Sequence, residues 1–406
     1  MMPHPMNARL ADATRLRTTY AIEAVLSFAA NLLFVGIFFY TTQVFEWGLV
    51  RNFTLAAAQG AVYIVASLAS QKLARAIGDR RLLLFSNIGL AIISLIGVLA
   101  RDPTILTIVI IAYVPLTALC WPVLESATAT GADPHTLSRR IGTYNLIWAG
   151  TGALAVALQG TILKVDPRGV FAIPFLIHLG IITILLLKRG YGAHIGTPAP
   201  TATPAHPHLD PEPALLAQRT LALWLSRIAL PSTYVVIYSL SALMPLLPVM
   251  KTLDPTAQTL VGSTWMVSRW LMFLLLGATL FWHTRPRLLL QAAMLMGAAF
   301  VGTTAPWGLA AMIAFQVLLG AALGLIYTAS LYFGMVLSDG SAEHAGYHEA
   351  LIGAGQVLGP AAGALTQYRW PQNLTAGVVA VSSLVLLSIL AALIATRQAA
   401  RRPERP

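Results

Sequence analysis

The sequence predicts an all-α membrane protein built from two bundles of six helices each. Three observations support this. Hydrophobic residues make up 57% of the chain and charged residues only 10%, long apolar runs recur twelve times, and one proline-rich tract divides those runs six and six. Soluble domains carry about 25% charged residues, so this chain has more apolar surface than one aqueous core can bury. A lipid bilayer must therefore cover most of it.

The predicted spans follow from length and charge. A helix needs about 20 apolar residues to cross a bilayer, and the chain offers twelve runs of roughly that size that hold at most one charged residue. The spans are 19–43, 52–74, 82–100, 104–128, 141–163, 169–187, 220–247, 256–282, 288–303, 307–336, 345–367 and 374–396.

A change of composition separates the sixth span from the seventh. Six prolines fall between positions 198 and 213, among alanine, threonine and histidine. Such a tract cannot form a packed core and is typical of an extended linker. We therefore expect an N-terminal six-helix bundle at 1–188, a cytoplasmic linker at 189–218 and a C-terminal six-helix bundle at 219–406.

The distribution of lysine and arginine predicts the orientation. These residues concentrate in cytoplasmic loops, and with the N-terminus inside, 18 of the 26 lie in cytoplasmic segments, six lie outside, and Arg227 and Arg269 lie within spans. Both termini are expected in the cytoplasm, with the first helix retained and the chain in the plasma membrane (the inner membrane of a bacterium). The net charge of +11 is explained by topology, and no basic face indicates nucleic-acid binding.

The sequence has no motif for a disulfide, a metal site, a nucleotide site or a catalytic site. Cys120 is the only cysteine, so no internal disulfide can form. The linker histidines lack metal-ligand spacing, and no phosphate-binding loop occurs. We find no nucleophile with a base at membrane depth. No cofactor, metal or enzymatic activity is expected.

Two short matches relate the halves. Arg81 and Arg287 each precede three leucines and open the third and ninth spans, 206 positions apart, while Gly142 and Gly346 begin the fifth and eleventh spans, 204 positions apart. Matches in register with the helix count indicate an internal duplication.

A glycine–proline motif occupies the eleventh span. Gly355, Gly359 and Gly363 recur every four residues, which places them on one stripe of a helix where another helix can approach closely, and Pro360 bends the helix there. With Gly346 the motif is G-x8-G-x3-G-P-x2-G, which resembles the antiporter signature of the major facilitator superfamily. That family has the signature in its fifth helix, so we interpret Gly355, Gly359 and Pro360 first as packing and hinge residues between the halves.

The loop between the second and third spans also resembles that family. Residues 71–81 match its G-x-L-A-D-R-x-G-R-R pattern at Leu73, Ala74, Gly78 and Arg80, but Arg75 stands at the acidic position. In the family the acidic residue helps to latch the two halves. Gly78, Asp79 and Arg80 are therefore candidate gating residues, with Asp79 a possible substitute, and a simple positive-inside anchor is the alternative.

The resemblance implies a pseudo-two-fold axis along the membrane normal, a central substrate cavity and secondary transport by alternating access, with the protein working as a monomer. It also places helices one, four, seven and ten around the cavity and the sixth, with His178, among the outer helices. The candidate wall residues on the four lining helices are aromatic or amide side chains: Asn31, Phe34, Tyr113, Trp121, Tyr234, Tyr238, Gln316 and Tyr327. Such a wall suits an amphipathic or aromatic organic solute.

Arg269 lies near the middle of the eighth span, where a charge costs at least about 2.5 kcal/mol. Trp265, one turn before it, shares its face. A guanidinium beside an indole suits a carboxylate, a phosphate or an aromatic ligand. The alternative is a structural ion pair with a glutamate of another helix.

Three glutamates within spans are candidates for proton coupling: Glu23, Glu125 and Glu349. Desolvation disfavours an ionised carboxyl, so such a group can carry a proton. In each case the alternative is an interfacial glutamate that caps a loop or pairs with basic residues.

The sequence thus predicts proton-coupled export of an amphipathic compound. Uptake of an anionic metabolite by proton symport is the alternative and makes Arg269 a substrate residue. A non-transporting membrane sensor or assembly partner on the same fold is a second alternative.

Overall fold

The computed structural model describes residues 5–132, 134–188, 190–191, 213–279, 281–337, 342–373 and 375–401. Its helices are α1 Pro5–Phe34, α2 Ile37–Val44, α3 Leu49–Ile77, α4 Asp79–Leu99, α5 Pro103–Ala129, α6 Pro134–Val165, α7 Gly169–Leu187, α8 Pro213–Leu243, α9 Pro248–Lys251, α10 Pro255–Gly262, α11 Thr264–Ala278, α12 Arg287–Thr304, α13 Leu309–Leu337, α14 Ala342–Arg369 and α15 Thr375–Arg401.

Eleven helical segments of the described chain are long and apolar enough to cross a membrane. The twelfth predicted span, 345–367, lies in α14, which is a 28-residue helix but is not among those eleven. The glycine-rich sequence of α14 makes it less apolar than its neighbours. The all-helical membrane fold is thus confirmed, and the count of twelve spans stays a prediction.

Two predicted spans are interrupted in the structure. The first divides into α1 and α2 around Val35 and Gly36, and the eighth divides into α10 and α11 at Ser263.

Local caps explain where other helices start. Asp102 accepts hydrogen bonds from the backbone of Thr104 and Ile105 before α5, and the Asp254 side chain accepts one from Thr256 before α10.

The predicted linker falls mostly on residues 192–212, which lie outside the described residues. Residues 213–218, which we assigned to the linker, form the first turns of α8. The division into 1–188, 189–218 and 219–406 stays a prediction.

Because consecutive spanning helices run in opposite directions, their loops alternate between two ends of the bundle. We call the end that holds Gly78, Thr130 and Leu187 the terminal end, which the arginine and lysine distribution predicts to be cytoplasmic. The opposite end, which holds residues 45–48, 100–102 and 166–168, is the far end.

Two packed regions provide most of the contact between the first half, α1–α7, and the second half, α8–α15. The first seam is the contact of α3 with α14, and the second seam is the contact of α6 with α10 and α11. In helix order these seams pair the second span with the eleventh and the fifth with the eighth. Exchanging the halves converts one pair into the other, as the predicted pseudo-two-fold axis requires.

Glycines let these helices approach closely. A side chain on Gly363 would meet the ring of Phe53 across the first seam, and one on Gly160 would overlap the Pro255 carbonyl across the second seam. Gly355 and Gly359 of the glycine–proline motif contact α8 instead, where added side chains would meet the carbonyls of Pro231 and Val235. Two glycines of the motif thus pack α14 inside its own half, whereas we expected them at the boundary. Their role as a hinge with Pro360 stays a prediction.

The candidate gating loop joins α3 to α4. Gly78 has φ +89° with open space beside its Cα, so glycine is required there by the backbone and not by crowding. Asp79 starts α4, and Arg80 donates hydrogen bonds of 3.1 and 2.7 Å to the Leu185 carbonyl. These bonds lie within the first half, and a latch between the halves stays a prediction.

Candidate functional site

A cavity of about 110 Å³ lies between the two halves. Its walls come from α1, α3, α5 and α6 of the first half and from α8, α11, α13 and α14 of the second half. The residues of its wall are Glu23, Ser27, Ala30, Asn31, Phe34, Val35, Tyr63, Trp121, Glu125, Tyr144, Trp148, Tyr234, Ile237, Tyr238, Trp265, Arg269, Tyr327, Glu349, Ile352 and Gln356.

Arg269 enters this wall from α11 and is 5% exposed. Its guanidinium carbon lies 4.7 Å from the ring centre of Trp148 and 5.0 Å from that of Trp265. The Nε atom has no hydrogen-bond partner, and no ion pair joins Arg269 to a carboxylate among the described residues. The expected alternative, an ion pair with a glutamate, is therefore absent from this part of the chain, and aromatic faces surround the charge instead.

The three glutamates line the same cavity but have different partners. Glu23 accepts hydrogen bonds from Ser27 Oγ at 2.5 Å and from Tyr144 OH at 2.9 Å. Glu349 accepts one from Tyr63 OH. Glu125 has no hydrogen bond to the described residues and is partly exposed to the cavity. Two of the three carboxyls thus accept hydrogen bonds from neutral hydroxyl groups.

Aromatic rings form much of the remaining wall. Trp121 packs edge-on against Phe34 with ring centres 5.7 Å apart, and Tyr63 lies 6.0 Å from Trp121. On the other side, Trp148 packs against Tyr327 with ring centres 5.5 Å apart. Both groups can pack on an apolar or aromatic ligand.

The structure gathers most of the predicted site residues in this cavity. Arg269, Trp265, Asn31, Phe34, Trp121, Tyr234, Tyr238, Tyr327, Glu23, Glu125 and Glu349 all line it. This placement is a matter of geometry, and the roles assigned to these residues stay predictions.

Two predicted wall residues lie elsewhere. Tyr113 is fully buried and bonds to His178 Nε2 at 2.8 Å, while His178 Nδ1 is 2.9 Å from Asn87 Oδ1. This hydrogen-bonded packing is what we expected of His178, and it turns Tyr113 away from the cavity. Gln316 is fully buried and outside the cavity wall. Neither side chain lies in the cavity wall, and the role in substrate binding that we assigned to them stays a prediction.

Three aromatic residues of the cavity wall were missed: Tyr63, Tyr144 and Trp148. They lie on the second and fifth spans, which we did not treat as lining helices. The four-residue spacing of Tyr144 and Trp148 places them on one helical face, and that signal was available. Apolar periodicity could not show which face turns inward, because lipid and protein interior are both apolar.

Three contacts join the two halves away from the cavity, one between α2 and α10 and two within the second seam. Gln43 donates to Gln258 at 3.0 Å, Lys164 pairs with Asp254 at 2.5 Å, and Gly160 N donates to Thr259 at 3.0 Å. All three contacts join the halves near the far end. The hydrogen bonds across the seams that reach deepest toward the terminal end come from Trp270, to the Leu146 carbonyl, and from Tyr63, to Glu349.

The described residues contain no cluster of three or more side chains suited to a metal ion. An occupant of this cavity would therefore meet carboxyls, one guanidinium, phenols and indoles.

A cavity at the interface of two helical halves is typical of membrane transport proteins. The model of the Major Facilitator Superfamily matches residues 18–346, and the chain belongs to that superfamily. A search of curated proteins found no match.

Solved structures with the same fold are transporters of low sequence identity. A mutant of the nucleoside transporter NupG aligns with a TM-score of 0.63 at 13% identity, covering 94% of this chain and 99% of that one. A bacterial homologue of the human lysosomal transporter Spinster, inward-facing and unoccupied, aligns with a TM-score of 0.62 at 11% identity, covering 96% of each chain. Its occupied inward-facing form aligns with a TM-score of 0.62 at 12% identity, covering 98% of each chain. These similarities show the fold, and membership of the superfamily supports secondary transport of small molecules in general.

Proposed function

We propose that this chain is a proton-coupled secondary transporter of a small amphipathic organic solute, working by alternating access. The observation that carries the proposal is the composition of the central cavity. Carboxyls that can take up a proton, a guanidinium with no ion pair to the described residues and a wall of aromatic rings meet there between the two halves. The proposed direction is export of the solute, as the sequence predicts.

Uptake of an anionic metabolite by proton symport is the second candidate. It is favoured by Arg269, whose buried charge has no carboxylate partner among the described residues. A carboxylate or phosphate of a ligand would supply that partner.

Thermal stabilisation of the purified protein by a panel of metabolites and drugs would identify a ligand, because a ligand that binds the folded state raises its apparent stability. The ligand would then be followed in proteoliposomes under pH gradients of either sign. Movement driven by the gradient supports proton coupling, and its direction separates export from symport. A ligand that binds but never crosses contradicts transport and favours a sensor.

Matched tyrosine variants test the assigned cavity. Tyr327→Phe changes a wall residue, whereas Tyr113→Phe changes a buried tyrosine outside the wall. We expect weaker binding only in Tyr327→Phe. Equal loss in both variants would contradict the cavity as the binding site.

A further inference from the structure

The three cavity glutamates can be told apart by which half supplies their hydrogen-bond donor. Both donors to Glu23, Ser27 and Tyr144, belong to the same half as Glu23 itself. Glu125 has no donor among the described residues. Only Glu349, on α14 of the second half, takes its hydrogen bond from the other half, from Tyr63 on α3.

The Tyr63–Glu349 bond is part of the first seam. Further toward the far end, α3 and α14 touch where Gly60 meets Gln356 and where Phe53 meets Gly363. Both partners of the bond are buried, with Tyr63 4% and Glu349 7% exposed. A movement that separates α3 from α14 must therefore break this bond.

The same tyrosine also belongs to the cavity wall. Its ring lies 6.0 Å from Trp121, which packs against Phe34. Protonation of Glu349 therefore affects the cavity wall that a ligand would contact, because Tyr63 both bonds to Glu349 and forms part of that wall.

Protonation changes the strength of this bond. A phenol donates more strongly to an ionised carboxylate than to a neutral carboxylic acid, by roughly a factor of two in energy. No lysine or arginine forms an ion pair with Glu349 among the described residues, so Tyr63 is the stabilising partner of its charge there.

Other titratable groups surround Glu349 without bonding to it. Among the described residues they are Glu125 of α5, Tyr234 and Tyr238 of α8, Tyr327 of α13 and, on α14 itself, His348, which faces Ser330 and the charge of Arg227 on α8.

We infer that Glu349 is the proton-coupling residue and that it acts as a latch: ionised, it holds Tyr63 and keeps the first seam closed, and protonated, it weakens that hold. The proton comes from cavity water and ends on the Glu349 carboxylate, while Tyr63 keeps its own proton. The inference rests on the proposed function, transport by alternating access.

Spin labels at the far end can test the latch. Arg51→Cys near the start of α3 and Tyr368→Cys near the end of α14 place labels at exposed positions on the two sides of the first seam, and the native Cys120 is buried. Pulsed dipolar spectroscopy would then measure the distance distribution between the labels at pH 5.5 and pH 8. We expect the ratio of open to closed far ends to rise about tenfold at the lower pH, as the loss of one charge-assisted hydrogen bond predicts.

Isosteric variants assign this response to one carboxyl. Glu349→Gln, which mimics the protonated acid, should give the open-shifted distribution at both pH values. Glu23→Gln and Glu125→Gln test the other two carboxyls of the cavity, and a pH response that is lost in either variant but kept in Glu349→Gln contradicts the assignment. Tyr63→Phe keeps the ring but removes the donor, and it should also shift the distribution toward the open form at pH 8.

A pH response that survives in Glu349→Gln, or that is absent from the wild type, overturns the latch. Solute exchange in proteoliposomes tests the proposed function separately. If solute is exchanged but the distance between the labels does not depend on pH, the role of Glu349 is overturned and the proposed transport function stands. If no solute is exchanged and the distance does not change, the role of Glu349 and the transport function are both overturned.

Discussion

The two seams that join the halves occupy equivalent places in the fold but are chemically different. The first seam, α3 with α14, is packed mainly through glycines and apolar side chains, and the side-chain hydrogen bond across it in the described part of the chain is Tyr63 to Glu349. The second seam, α6 with α10 and α11, has backbone and side-chain hydrogen bonds through Thr259 and Trp270 and an ion pair at Lys164.

Each seam also presents a different charge to the cavity. The first presents the carboxyl of Glu349, and the second holds the guanidinium of Arg269 between Trp148 of α6 and Trp265 of α11. A carboxyl can lose its charge by taking up a proton, whereas a guanidinium stays charged at any physiological pH. The difference indicates that one seam is suited to respond to protons and the other to an anionic group of a ligand.

The largest effect is expected from removing the charge of the second seam. In Arg269→Gln, an anionic ligand would lose a charge-assisted hydrogen bond worth about 1.5–3 kcal/mol, so its affinity should fall by roughly 10- to 100-fold. The ligand-free protein should melt at the same temperature or higher, because an uncompensated buried charge is removed. Titrations followed by thermal unfolding would measure both quantities.

Arg269→Lys is the control for this variant. It keeps the charge but loses the planar group that lies against two indoles, so its affinity should fall between those of the wild type and Arg269→Gln. A ligand-free Arg269→Gln protein that melts well below the wild type would indicate that Arg269 is structural.

Packing at the two seams should respond differently to one added methyl group. A Cβ at Gly160 in the second seam would overlap the Pro255 carbonyl, which is backbone and cannot rotate away, whereas a Cβ at Gly353 in the first seam would meet the side chain of Ile64. Gly160→Ala should cost about 1–3 kcal/mol and Gly353→Ala less. Melting temperatures in one detergent would compare them, and equal losses would contradict the difference between the seams.

The sequence predicted the architecture because membrane helices are long, apolar and separated by charged loops. It did not predict the breaks at Val35 and Ser263, since both lie inside apolar runs in which no proline or charge marks an end. It also placed Gly355 and Gly359 at the boundary between the halves, because spacing shows that glycines share a stripe but not which helix covers that stripe.

The charged residues of the candidate site could be predicted from the sequence. Arg269 and the three glutamates were recognisable because ionisable residues are rare at membrane depth, and all four line the cavity. Aromatic residues gave no such signal, so Tyr113 was chosen and Tyr63 was missed. The hydrogen bond between Tyr63 and Glu349, 286 positions apart in the chain, depends on tertiary packing that spacing within one helix cannot show.

A smaller effect is expected from replacing Trp148, the tryptophan of the first half that lies against Arg269. Trp148→Phe keeps an aromatic ring and weakens, without removing, the attraction to the guanidinium, which is worth about 2 kcal/mol at buried contacts. The affinity for an anionic ligand should fall by about two- to fivefold. Trp307→Phe, at an exposed tryptophan outside the cavity wall, is the control and should leave the affinity unchanged, and a similar loss in both would contradict a specific contact.

The smallest effect is expected at the ion pair between Lys164 and Asp254, because both side chains are about half exposed and salt screens such pairs. The hydrogen bond from Lys164 lowers the pKa of Asp254. A carboxyl with a lowered pKa in the folded state contributes stability above its ordinary pKa of about 3.9 and loses that contribution as the pH falls below it. Asp254→Asn should therefore lower the melting temperature slightly at pH 7 in low salt and have a smaller effect in high salt. A large, salt-independent loss would show instead that this pair holds the second seam closed.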